Sequence, residues 1–113
     1  MNRFWNRAPA LVAGAFILGG CSSTFSLKQT EQVGVDRAYD ATQAAMKDLQ
    51  FTIKDQAKDA LQARVTALEA DKTEVNVNME AKGEHLTEFR VKVGVLGDES
   101  QAKLIMDKIK THF

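Results

Sequence analysis

This sequence has little with which to do redox or metal chemistry. It holds one cysteine, Cys21. A single thiol forms no internal disulfide and no Cys-rich zinc site. Two histidines, His85 and His112, are too few and too far apart to suggest a metal cluster. No cofactor is expected. Excess charge is missing too, with 15 Lys and Arg against 15 Asp and Glu. A nucleic-acid binder normally carries a basic surplus to neutralise phosphates, so no nucleic-acid partner is expected. Proline occurs once, and 44% of the 113 residues are hydrophobic, as in a globular rather than a disordered chain. The apolar run Ala8 to Gly20 is 13 residues, and a membrane-spanning helix needs about 20. No Ser-His-Asp set, acid-base pair or phosphate-cradling glycine loop stands out, so catalysis is not expected.

What is present begins with that run. Arg3 and Arg7 precede it, and small residues end it. A positive start, a short apolar middle and small residues at its end describe an export signal. The run closes in Leu18-Gly19-Gly20-Cys21. These four residues resemble the lipobox of bacterial lipoproteins. The resemblance implies cleavage between Gly20 and Cys21, a diacylglycerol on the Cys21 thiol and an acyl group on its amine. Ser22 is similar to the sorting residue of lipoproteins sent to the Gram-negative outer membrane. The implied location is the cell envelope, lipid-anchored, at the outer membrane facing the periplasm. A redox thiol is disfavoured, because no second cysteine resolves it and no His or Lys lies nearby in sequence.

Residues 1–20 are therefore expected to be a removed signal peptide, and 21–34 a lipidated cysteine with a flexible tether. Residues 22–34 are small and polar with no sustained period. As a coil they would span roughly 20 Å on average and at most about 45 Å. Residues 35–113 read as one small domain. Val35, Ala38, Tyr39, Thr42, Ala45, Met46 and Leu49 follow a helical period, with Asp36 as N-cap. The period then changes to two. Phe51 and Ile53 form one strand, followed by a charged turn from Asp55 to Asp59. Three further alternating sets follow: Leu61 to Ala67, Val75 to Met79, and Phe89 to Val95. Asp98, with Gln101, then signals a capping box. Ala102, Ile105, Met106 and Ile109 make the apolar face of a last helix.

The expected fold is α+β in two layers. A four-stranded antiparallel sheet carries two helices on one face, in the order α-β-β-β-β-α. The segments around Tyr39, Leu49-Gln50-Phe51 and Val93-Gly94-Val95-Leu96-Gly97-Asp98-Glu99 resemble a family of short bacterial lipoproteins of unknown function. That likeness covers about residues 35–113 and implies no activity. Gln50 stands where such proteins usually have glycine.

Two functional readings follow. In the first, a non-enzymatic envelope lipoprotein binds an envelope protein or helps maintain the envelope. Its candidate surface is Glu88, Arg90 and Lys92 on the wet face of the last strand. The same three residues also fit a solvated face with cross-strand ion pairs. In the second, a small-ligand binder or weak enzyme has its site near the Gly94–Ser100 turn, where helix amides could receive an anion.

Overall fold

A computed structural model describes residues 24–113. Gly20, Cys21 and the segment 1–20 read as a signal peptide lie outside the described residues. The elements run β1 (Leu27–Glu31), α1 (Val35–Asp48), β2 (Thr52–Lys58), β3 (Gln62–Leu68), β4 (Glu74–Gly83), β5 (Leu86–Val93) and α2 (Glu99–Lys110). The α+β class, the antiparallel sheet and its two helices match expectation. The strand number does not, because the sheet has five strands in the order β1-β5-β4-β3-β2.

The additional strand is β1, drawn from the segment read as tether. Its residues LKQTE include one apolar side chain, Leu27. What holds β1 is main-chain pairing with β5, with Leu27 opposite Val91 and Glu31 opposite Thr87. Backbone bonds leave no side-chain period to read. β1 therefore starts at one edge, and α1 carries the chain across to the other, where β2 lies. From there β2 to β5 return as a meander and close on β1.

The charged turn expected at Asp55 to Asp59 is instead mostly strand, since β2 continues to Lys58. A bulge between Ile53 and Asp55 interrupts its pairing with β3. Five successive residues from Lys54 to Lys58 are exposed. An edge strand with a bulge and charges on both sides resists pairing with another chain, and it also loses its alternation.

Helix α1 begins at N-cap Gly34 rather than Asp36. Asp36 lies in the first turn, where its carboxylate suits the helix dipole and pairs with Lys58 Nζ at 2.7 Å. The helix ends in a Schellman motif. The Phe51 N–H donates to the Met46 carbonyl at 2.9 Å, and the Gln50 N–H to the Lys47 carbonyl at 3.0 Å. That closure puts Gln50 at φ 62°, a conformation glycine adopts most readily.

Both helices cover one face of the sheet. α1 lies mainly over β2, β3 and β4, α2 over β5 and β1, and the two helices touch. Between the layers lie Met46, Val65, Val75, Val77, Met79, Phe89, Val91, Ile105, Met106 and Ile109, all at most 2% exposed. Each such side chain contributes about 1.5–3 kcal/mol on burial, most of it offset by chain entropy. Tyr39 is half-buried against this core. Phe113 packs its ring 5.9 Å from that of Phe89. Buried hydroxyls have partners: Thr42 Oγ1 donates to the Ala38 carbonyl (2.9 Å), and Thr87 Oγ1 to the Val33 carbonyl (2.6 Å). Val95, read as the last strand residue, falls beyond β5 in the following turn and is 83% exposed.

Candidate functional site

The face of the sheet turned away from the helices is polar and open. Antiparallel register sets Lys28, Arg90, Asn78 and Arg64 side by side across β1, β5, β4 and β3. The next row on that face is Thr30, Glu88, Glu80 and Gln62. Glu88 is the hub. Its side chain is only 12% exposed, and three cations approach it: Arg90 at 3.5 Å, Lys28 at 3.9 Å and Lys82 at 4.0 Å. Lys82 also reaches Glu80 at 3.3 Å. Such pairs at a wet surface contribute about 0–1 kcal/mol each to stability. Their larger effect is to hold charges of both signs in fixed positions, which favours a partner of complementary pattern.

Around this hub lies a groove of about 380 Å³, bordered among others by Gln62, Arg64, Asn78, Glu80, Glu88 and Arg90. Of the three residues singled out by sequence, Glu88 and Arg90 border the groove together. Lys92 sits two residues further along β5, opposite Asn76 and outside the groove's border. Arg64, Asn78 and Glu80 were visible only as wet positions of their own strands. Register brings Asn78 and Glu80 beside β5, with Arg64 one strand further on β3. Arg64 Nη2 donates to Asp55 Oδ2 at 2.8 Å, and this bond and the guanidinium charge hold the Asp55 carboxyl below its ordinary range. At the far corner, Lys54 Nζ donates to Glu74 Oε2 at 2.9 Å. Hydrogen bonds from Lys54 and Asn76, with the charges of Lys54 and Lys92, lower Glu74 in turn.

The Gly94–Ser100 turn serves the fold in ways that compete with an anion site. Asp98 Oδ1 accepts the Gln101 N–H at 3.1 Å, so it is spent as the N-cap of α2. The Gly94 N–H donates to the Glu74 carbonyl at 2.8 Å, with φ at +75°. Gly97, at φ +88°, lies against the backbone of Phe25: a Cβ there would collide with the Phe25 carbonyl oxygen and come within 2.7 Å of its nitrogen. The Phe25 N–H donates to the Leu96 carbonyl at 2.8 Å. The N-terminal segment is therefore stitched to this turn from Phe25 onward. Beside it, Glu69 Oε2 is buried without a hydrogen-bond partner among the described residues. Burial, then the charges of Asp71 and Asp98, push the Glu69 carboxyl upward.

His85 is exposed between β4 and β5. His112 Nε2 lies 2.6 Å from Asp48 Oδ2, joining the ends of α2 and α1.

The arrangement defines a small two-layer module with one open, charged sheet face and an N-terminal segment fastened to the β5–α2 turn. It matches the family described as Protein of unknown function (DUF3568) over residues 10–112. The chain belongs to that family, and the match takes in most of the apolar run, Cys21 and nearly all of the domain. No curated protein matches it.

Proposed function

We propose that the chain is a lipid-anchored protein of the bacterial cell envelope that works by binding rather than by catalysis. Cleavage before Cys21 and acylation of its thiol hold it at the outer membrane, facing the periplasm. Buried acyl chains contribute about 0.8 kcal/mol per methylene, so two or three chains anchor it effectively for good. An envelope protein is bound through Glu88, Arg90 and Lys92. The observation that carries this reading is the placement of Leu18-Gly19-Gly20-Cys21 at the end of an apolar run and immediately ahead of the folded domain. The Glu88-centred charge cluster, left open on the side opposite the helices, supports the binding half.

Intact mass of the protein purified from membranes tests the anchor. The expected product starts at Cys21 and carries acyl mass, and Cys21→Ser abolishes both processing and palmitate labelling. A soluble product with an intact leader and free thiol refutes it. Binding is tested by chemical cross-linking in intact cells, comparing the wild type with Arg90→Glu/Lys92→Glu. A specific cross-linked species that survives the charge reversal undiminished refutes the assignment of this face.

A further inference from the structure

We propose that the Val95–Leu96 turn is a membrane-contacting surface, resting on the phospholipid interface beside the acylated Cys21. The inference rests on the anchor reading above and adds which part of the domain meets the bilayer. Val95 is 83% exposed and Leu96 67% exposed. Leu61, Leu104 and Phe113 are the other exposed large apolar residues among those described, and none of them adjoins another. An adjacent apolar pair at the tip of a turn wastes solvation unless something apolar covers it.

Chain length says what covers it. Four residue steps separate Cys21 from Phe25, and fully extended they reach at most about 14 Å. The Phe25 N–H is bonded to the carbonyl of Leu96 itself. An anchor at Cys21 thus keeps the turn within about 14 Å of chain from the lipid surface. The expected 13-residue tether is shortened to Ser22, Ser23 and Thr24 by the docking of Phe25 and β1.

The turn is also prepared for the role. It is held by the Gly94 bond to Glu74, the Phe25 bond to Leu96 and the Asp98 cap, so little conformational freedom remains to be lost on contact. Asp98 and Glu99 follow directly. Carboxylates stay at headgroup level, which limits the contact to the tip and makes it shallow.

The test uses the processed, acylated protein in vesicles of phosphatidylethanolamine and phosphatidylglycerol containing bromine-labelled acyl chains. The sole tryptophan, Trp5, lies in the leader, so a tryptophan placed in the domain reports alone. Leu96→Trp is compared with Leu61→Trp, an equally exposed site at the opposite end of the sheet. The expected result is quenching about threefold stronger at position 96 than at position 61. Equal quenching at the two positions, in a sample whose acylation is confirmed by mass, overturns the membrane contact while leaving the anchor intact. Absence of acyl mass overturns the anchor and this inference with it. Both substitutions are at exposed positions, and unchanged far-ultraviolet dichroism confirms that each variant is folded.

Discussion

Replacing Gly97 by alanine probes the junction between the N-terminal segment and the domain. The residue sits at φ +88°, and a Cβ would meet the carbonyl oxygen of Phe25, with its nitrogen at 2.7 Å and its carbon at 2.8 Å. These are backbone atoms, so no side chain can swing aside. An L-residue in this conformation costs about 1–2 kcal/mol before any collision. Relief then requires Phe25 to leave. Its half-buried ring gives up about 1 kcal/mol of burial. Its bond to Leu96 gives up about another 0.5–1.5 kcal/mol. The sum is about 3 kcal/mol, a large part of a small domain's stability. With a urea m-value of about 1–1.5 kcal/mol/M, the unfolding midpoint should fall by about 2 M. Native-state hydrogen exchange should show the Phe25 amide exchanging as freely as an unstructured one, while the β3 and β4 amides stay protected and lose only what the lower global stability takes from them. A midpoint within about 0.5 M of wild type, with Phe25 still protected, would refute the close approach on which the short tether depends.

Three further outcomes can be stated. Gln50→Gly removes the left-handed strain at the C-terminus of α1. Relief of about 1–2 kcal/mol, less about 0.4–1 kcal/mol for glycine's extra freedom when unfolded, predicts a net gain of roughly 0.5–1 kcal/mol by urea denaturation. Thr87→Val keeps the shape but leaves the buried Val33 carbonyl unpaired, and should cost about 1–2 kcal/mol in the same assay. The Glu69 carboxyl is raised in the folded state, so its contribution is full below the ordinary carboxylate range and is lost as pH rises through the raised value. Glu69→Gln should therefore stabilise the domain at neutral pH and make no difference in acid; equal effects at both would contradict the assigned burial.

Some of this was legible in residue order and some was not. Ala102, Ile105, Met106 and Ile109 recur at helical spacing, and all four are buried. Val75, Val77 and Met79 alternate on β4 and face the helices, as do Phe89, Val91 and Val93 on β5. The edges were illegible for physical reasons. β1 is held by main-chain bonds to a strand far along the chain, and β2 is wet on both sides past its bulge. Glu88 and Arg90 could be placed on the wet face. That Lys28 and Lys82 converge on Glu88, and that Lys28 and Asn78 flank Arg90, depends on register. Gly97 was readable as a turn, but its need for a missing Cβ comes from Phe25, far away in sequence. The departure at Gln50 was visible, and its cost became definite only with φ 62°.

The pairing of β1 with β5 sets the order in which the fold can be finished. Every other neighbouring pair in the sheet joins consecutive strands, closed by a short turn. β1 leaves the ribosome first among the strands and must wait for the last one before its amides find partners. Closing so long a loop is slow relative to hairpin formation. A nascent chain stalled before Leu86 would therefore hold a three-stranded meander with its first strand adrift, exposed to proteases and to the strands of other chains.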